Sequence, residues 1–198
     1  DPPVLSMDTK KREMLGDYAR PGQALSNGRL RAWDHDFPTH SLGTVIPHGI
    51  YDRALNEGYL HLGDSHDTSR FACDALLDWW RTHGRRSYPQ ANDLLLLCDG
   101  GGSNSARRLT FKEQLQRFAD ATGLKIRVAH YPPGCSKYNP IEHRLFPHVE
   151  RKLRGMLLTS RELFRDLAKR ATTQTGLRVF ARCLKWMYQL GESAAATS

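Results

Sequence analysis

The sequence predicts a mixed α/β domain with a five-stranded sheet, three antiparallel strands followed by two parallel strands, flanked by helices. Three short apolar runs come first, before any helical pattern. Helices and strands then alternate, which is typical of parallel strands joined by crossover helices. The length of 198 residues is enough for one well-packed domain. The order of these patterns, rather than the composition, predicts the class.

The first three strands are predicted from runs at residues 4–8, 43–52 and 58–64. The first reads VLSMD and ends on an acid. The third alternates leucine with other side chains, as a half-buried strand does. Asn56 and Gly58 border a short gap between the second and third runs, which favours a hairpin. We therefore expect these two strands to be antiparallel neighbours.

Helices and strands alternate in the second half of the sequence. Residues 71–80 carry apolar side chains at helical spacing, and residues 94–98, LLLLC, indicate a strand buried on both faces. A helical pattern ends at Gly123, and residues 125–131 alternate like a strand. The final helices follow, and Pro147 should kink the first of them or begin a new turn.

Positive charge is concentrated at the end of the chain. The net charge is +8, and residues 151–198 carry 10 Lys and Arg against 3 Asp and Glu. This distribution predicts a polyanionic partner such as nucleic acid, although a solvated helix surface is an open alternative. We expect residues 1–155 to form the core, and residues 156–198 a basic helical extension packed on it.

Several classes of protein are not expected. The sequence has no run of about 18 apolar residues and no signal-peptide pattern, so we expect no membrane partner and a cytoplasmic location. The four cysteines form no C-x-x-C pair, so a zinc cluster is not expected.

Three carboxylates occupy comparable places in the predicted elements. Asp8 ends the first strand, Asp99 ends the leucine-rich strand, and Glu142 lies in the first turn of a later helix. If the two strands are neighbours, their acids meet at one sheet edge, and a helix crossing that edge adds Glu142. Converging carboxylates repel one another unless a cation binds them. Hard oxygen ligands suit Mg²⁺ or Mn²⁺, and two such ions can clamp a phosphodiester.

Each acid also has a local alternative. Asp99 precedes three glycines and suits a turn. Asp8 is placed to cap the turn into TKKRE. Asn139, Pro140 and Glu142 have the spacing of a capping box, with Asn139 as the N-cap. The case for a shared site depends on all three acids together.

Six motifs carry a resemblance to a known family. They are DTKK at 8–11, HDF at 35–37, IPxGxYD at 46–52, HDT…F at 66–71, CDGGGSN at 98–104 and YNPIEHRLF at 138–146. With these motifs, residues 4–182 resemble the catalytic domain of DDE-type insertion-sequence transposases of bacteria. The NPIE element is more distantly similar to that of mariner-like transposases.

The resemblance implies an RNase H-like fold, with Asp8, Asp99 and Glu142 as the DDE triad. It implies two Mg²⁺ or Mn²⁺ ions, and DNA strand transfer that involves transposon ends and target DNA. Such proteins act as homo-oligomers on DNA, here expected in the bacterial nucleoid. We expect the N-terminal helix-turn-helix region of the family to be absent from this sequence. Two alternatives remain: another RNase H-like nuclease, or a catalytically idle, domesticated DNA-binding copy.

Polar and basic residues near the predicted triad are candidates for DNA contact. Ser103 and Asn104 are placed either to donate to phosphates or to cap the next helix. The basic candidates are expected to follow a DNA backbone, so that binding weakens with salt. They are Lys10, Lys11, Lys137, Arg144, Arg151, Lys152 and Arg154.

Overall fold

The computed structural model describes most of the chain and contains both strands and helices. The described residues are 1–23, 28, 31–34, 40–63, 68–99, 109–132 and 134–184. The strands are β1 Val4–Thr9, β2 Glu13–Leu15, β3 Gly43–Asp52, β4 Glu57–Gly63, β5 Asp93–Asp99, β6 Lys125–Tyr131 and β7 Arg178–Cys183. The helices are α1 Ser69–Trp79, α2 Arg85–Ser87, α3 Leu109–Thr122, α4 Pro140–Arg144, α5 Phe146–Leu153 and α6 Arg161–Ala168, and a π-helical turn, Trp80–Gly84, joins α1 to α2.

One mixed sheet organises these elements. Its strand order is β6-β5-β1-β3-β4-β7, and β2 pairs with one end of β3. β1, β3 and β4 are antiparallel, whereas β5 runs parallel to β1 and β6 runs parallel to β5. The predicted hairpin is confirmed, with Asn56 in the left-handed region at φ 53° in its turn. The mixed α/β prediction is therefore confirmed.

The predicted strand count was wrong, because the described residues hold seven strands rather than five. The two additional strands are β2 and β7. β7 lies within residues 156–198, which were expected to be helical, and it pairs in parallel with β4. In that segment α6 is the helix that the structure describes, and residues 185–198 lie outside the described residues. The basic segment thus contributes an edge strand to the same sheet.

Apolar layers cover both faces of the sheet. Leu5 and Met7 pack on one face with α1 and α3, while α4, α5 and α6 cover the other face over β3, β4 and β7. The leucine-rich strand was expected to be buried on both faces. Its residues instead alternate, with Leu94, Leu96 and Cys98 buried and the intervening leucines half-buried. The α4–α6 layer lies over the neighbouring strands rather than over β5.

Two glycines let the helical layer approach the sheet closely. A methyl group at Gly49 would lie 2.7 Å from Ile141 Cδ1, and one at Gly58 would lie 2.3 Å from Leu145 Cδ1. The chain breaks between α4 and α5 at Leu145 (φ −124°, ψ −62°), and Pro147 stands in the first turn of α5. Pro147 therefore begins a new helix, as one of the two predicted outcomes required. Across the described ranges, we find no helix with the length and apolarity that a membrane span requires.

Candidate active site

Neighbouring parallel strands bring Asp8 and Asp99 together. Met7 and Cys98 face each other in the register of β1 and β5, and the two acids are the next residue on each strand. Both side chains point to the face opposite the buried Met7 and Cys98, because side chains alternate along a strand. Both acids are half-buried. The predicted meeting of the first strand with the leucine-rich strand is confirmed.

Glu142 lies above that same face, in the first turn of α4. Its carboxyl group lies close enough to that of Asp8 to help raise the pKa of Asp8. The structure thus brings all three predicted acids to one place, although Asp8 and Glu142 are 134 positions apart.

The predicted capping box at α4 is wrong. Asn139 stands at the N-cap, but its side chain makes no capping bond to the helix. The amide nitrogen of Asn139 donates to the Met7 carbonyl at 3.2 Å, and its oxygen accepts from the Ser6 hydroxyl. The Ser6 hydroxyl oxygen in turn accepts from the Ile141 amide at 3.0 Å. A strand side chain therefore caps α4, and Glu142 is not needed for a local cap.

The environment of Asp8 strongly favours its neutral form. Burial is the largest cause, and the proximity of Asp99 and Glu142 adds to it, which raises the pKa of Asp8 from 3.8 to about 8. The Thr9 amide opposes this rise by donating to Asp8 Oδ1 at 2.7 Å. A cation bound beside Asp8 would favour its ionised form instead.

Asp99 provides a buried oxygen atom with no hydrogen-bond partner in the part of the chain that the structure describes. Its Oδ1 has no hydrogen-bond partner among the described residues, and burial raises the pKa of its carboxyl group. Such an atom is costly to bury unless something binds it. The turn interpretation concerns Gly100, Gly101 and Gly102, which lie outside the described residues.

The oxygen atoms of the three carboxyl groups are chemically suited to bind a hard divalent cation. Three carboxyl groups meet here, one with an unpartnered buried oxygen, and carboxylate oxygens are the ligands that Mg²⁺ and Mn²⁺ prefer. In the arrangement given for the described ranges, no three His, Cys, Asp or Glu side chains are placed to hold a metal ion. Binding of one ion by all three carboxyl groups therefore requires their side chains to turn toward one another.

The basic candidates separate into two groups. Lys10 forms ion pairs with Glu13 at 3.2 Å and Glu150 at 2.9 Å, and its side chain is only 10% exposed. It ties β1 to α5, which favours a structural role over DNA contact. Ser103 and Asn104 lie outside the described residues. The remaining candidates are exposed: Lys11, Lys137, Arg144, Arg151, Lys152 and Arg154.

Sequence reasoning missed the roles of Ser6 and Lys10. Ser6 stands two residues before Asp8, on the same face of β1, and this alternation was the one available signal. Lys10 was assigned to DNA because the charge of a lysine shows in the sequence and its ion-pair partner does not. Glu150 lies 140 positions later, on a helix whose packing the sequence does not reveal.

Solved structures of one transposase share the fold of this chain. The chain aligns with a Mos1 transposase paired-end complex with left transposon end at a TM-score of 0.57 and 14% identity, over 82% of this chain and 45% of that one. A pre-cleavage Mos1 transpososome gives 0.55 and 13%, over 82% and 46%. The chain thus spans under half the length of those proteins. The likeness confirms the predicted RNase H-like fold.

Comparison of the sequence with protein families gives the identity. No curated protein matches the chain significantly. A family model described as the Rhodopirellula transposase DDE domain matches residues 1–198, the whole of the sequence. The predicted resemblance to DDE-type transposases is therefore confirmed, and the chain belongs to the Rhodopirellula transposase DDE domain family.

Proposed function

We propose that this chain is the catalytic domain that cuts DNA and joins its strands during transposition, with Asp8, Asp99 and Glu142 as its catalytic carboxylates. One observation carries the proposal: the Asp8 carboxyl group lies close enough to both Asp99 and Glu142 for each of them to raise its pKa. A fold has no structural reason to gather three half-buried acids beside one another, because their mutual repulsion opposes folding. An enzyme that cuts DNA does have a reason to gather them, because three carboxylates together can bind the metal ions that the reaction uses.

We propose two Mg²⁺ or Mn²⁺ ions as the cofactor of this site. One of the Mos1 structures that share the fold is described as a complex with Mn. Asp8 stands between the other two acids and would be the shared ligand, with Asp99 and Glu142 each holding one ion. When bound, such a pair supplies an activated water or 3′ hydroxyl and stabilises the departing oxygen. The protein's part is to hold the three carboxyl groups in place.

We propose DNA as the partner, in the form of transposon ends and target DNA. The Mos1 complexes of the same fold are described with transposon ends and as paired-end assemblies, which also supports a homo-oligomer for this chain. Exposed cations flank Glu142 in the sequence, at Lys137 before α4 and at Arg144 at its end. Positive side chains in this position suit the phosphates that flank a scissile bond.

Nicking of supercoiled plasmid DNA with Mn²⁺ tests the proposal, with Glu142→Gln as the test variant. Glu162→Gln is the matched control, because Glu162 is also a first-turn glutamate, on α6. We expect the wild type and the control to nick the plasmid, and Glu142→Gln to lose at least 100-fold in rate. A folded wild type that binds DNA without cutting it would indicate the idle DNA-binding alternative. Equal rates for all three proteins would remove Glu142 from the site.

A further inference from the structure

A buried polar network joins β1 to the beginning of α4. The side chains of Ser6 and Asn139 are both fully buried, at 0% exposure. The Ser6 hydroxyl donates to Asn139 Oδ1, and the same hydroxyl oxygen accepts from the Ile141 amide at 3.0 Å. Asn139 Nδ2 donates to the carbonyl oxygen of Met7 at 3.2 Å. Each of the two side chains therefore bonds both to the other and to a backbone group of the opposite element.

The network joins the two chain segments that carry Asp8 and Glu142, two of the proposed catalytic acids. Ser6 precedes Asp8 by two residues on the same face of the strand, and Asn139 precedes Glu142 by three residues. The Asn139 carbonyl also accepts from the Glu142 amide at 3.0 Å. The distance between the start of α4 and β1 is thus set by hydrogen bonds rather than by apolar contact alone. Hydrogen bonds have directional geometry, so they fix position more narrowly than apolar packing does.

A second contact ties the following helix to the other side of Asp8. Lys10, two residues after Asp8, forms its 2.9 Å ion pair with Glu150 on α5. The α4–α5 pair is thereby anchored to β1 on both sides of the Asp8 carboxyl group. An apolar contact would suffice for stability, because a buried hydrogen-bonded network contributes little net free energy over well-packed apolar side chains. Two polar contacts on either side of the Asp8 carboxyl group indicate that the position of α4 and α5 relative to Asp8 matters.

We propose that Ser6 and Asn139 are positioning residues for the catalytic site. They hold the first turn of α4 at the separation from β1 that lets Glu142 and Asp8 serve the same pair of cations. This inference rests on the proposed function, since it assigns a role toward the proposed metal ligands. It concerns different residues, because the proposed function assigns roles to the three acids and this inference assigns roles to Ser6 and Asn139. Neither Ser6 nor Asn139 is a metal ligand or touches DNA in this account.

The test compares Ser6→Ala and Asn139→Ala with Tyr88→Phe in the same domain. Tyr88→Phe is the structural control, because the Tyr88 hydroxyl donates to the buried Asp52 carboxylate at 2.8 Å, near the opposite end of β1. Each protein is measured for the Mn²⁺ concentration that gives half of the maximal rise in Tm, without DNA. The nicking rate is then split into kcat and the KM for DNA. Ser6→Thr, which keeps the hydroxyl group, is the rescue variant.

We expect Ser6→Ala and Asn139→Ala to raise the half-maximal Mn²⁺ concentration about 10- to 100-fold, as loss of an outer-shell partner does. We expect kcat to fall by a similar factor while the KM for DNA stays constant. Tyr88→Phe should lower Tm and change neither quantity, and Ser6→Thr should restore both. If Asn139→Ala does not fold, Ser6→Ala decides the question, because it removes a single oxygen atom.

Two failures of this experiment have different meanings. If the wild type binds Mn²⁺ and cuts DNA, but the variants keep the wild-type Mn²⁺ dependence and kcat, then Ser6 and Asn139 only stabilise the fold and the inference is overturned. If the wild type shows no Mn²⁺-dependent rise in Tm, the proposed metal site itself fails, and the positioning role fails with it. Losses in the variants that match Tyr88→Phe at equal Tm would also overturn the inference.

Discussion

Asp8 and Asp99 stand side by side at the same edge of the sheet, each one residue beyond the facing pair of their two parallel strands. Their proximity needs no long loop or flexible segment. It follows from the register of β1 and β5, which the apolar residues on the opposite face hold in the core. A shift of one residue in that register would turn every side chain of one strand to the other face. The two carboxyl groups are therefore positioned by the core.

Asp99→Asn should abolish Mn²⁺-supported nicking while the metal-free protein keeps or gains stability. The substitution removes a buried carboxylate whose Oδ1 has no partner among the described residues, and it relieves repulsion with Asp8. We expect Tm to stay equal or rise, and the nicking rate to fall at least 100-fold. Asp93→Asn, at the other end of β5, is the control and should keep the activity. An unfolded Asp99→Asn protein would support the turn interpretation instead.

The exposed cations of α5 should contribute to the salt dependence of DNA binding, whereas Lys10 should not. The slope of log K against log salt is negative, and each lost phosphate contact lowers its magnitude by about 0.9. We expect Arg151→Gln and Lys152→Gln to lower it by up to that amount each, and Lys10→Gln to lower Tm with an unchanged slope, because Lys10 is paired with Glu13 and Glu150. Fluorescence anisotropy at several salt concentrations measures the slope. A reduced slope for Lys10→Gln would return Lys10 to the DNA-binding surface.

The buried imidazole of His48 should make the fold less stable at acidic pH. Burial, with a smaller contribution from His61, lowers the pKa of His48 from 6.5 to about 3. Between these values the unfolded chain binds a proton that the folded chain does not, so stability is full above pH 6.5 and declines as the pH falls. The slope approaches about 1.4 kcal/mol per pH unit for one proton.

Urea unfolding at pH 7 and at pH 5 tests this expectation. The wild type should lose more free energy of unfolding between the two pH values than His48→Gln does, because glutamine does not titrate. His143→Gln is the control, since His143 is exposed. An identical pH dependence for the wild type and His48→Gln would show that another group dominates acid unfolding.

Gly58→Ala should displace α4 from the sheet. The added methyl group would lie 2.3 Å from Leu145 Cδ1, which neither atom can tolerate without movement. Overpacking of this kind costs about 1–3 kcal/mol of unfolding free energy. We expect Leu145→Ala to be less damaging in the Gly58→Ala background than in the wild type, because it makes room for the methyl group. Additive costs in a double-mutant cycle would contradict the close packing of these two residues.

Local patterns were sufficient to predict the hairpin and the parallel strands. Asn56 supplied the turn signal, and the run of leucines before Asp99 marked a buried strand. β7 was missed although Val179 and Ala181 alternate with charged and aromatic side chains. The strand is short and follows a helix in a basic stretch, so its charge was assigned to a helical surface. The pairing of β7 with β4 in the structure shows that this segment is a strand and not the surface of a helix.

Contacts distant in sequence set the limit of prediction at the site. Asn139 occupies the N-cap position, as its residue type and place predict, and local patterns suggested that its side chain would cap α4. Its true partner is Ser6, 133 positions away, and no pattern within a helical window reports that contact. The acids themselves were found because each stands at the end of an element whose type was predictable. The groups that hold them in position depend on how those elements pack.

Diffraction from crystals soaked in Mn²⁺ tests the central claim most directly, through the anomalous signal of the ion. We predict Mn²⁺ bonded to the carboxyl groups of Asp8 and Asp99, with the Glu142 side chain turned to bind the metal as well. Glu142→Gln crystals should lose at least one of the two ions. Anomalous peaks that lie away from these three side chains, at a Mn²⁺ concentration that supports nicking, would contradict the account.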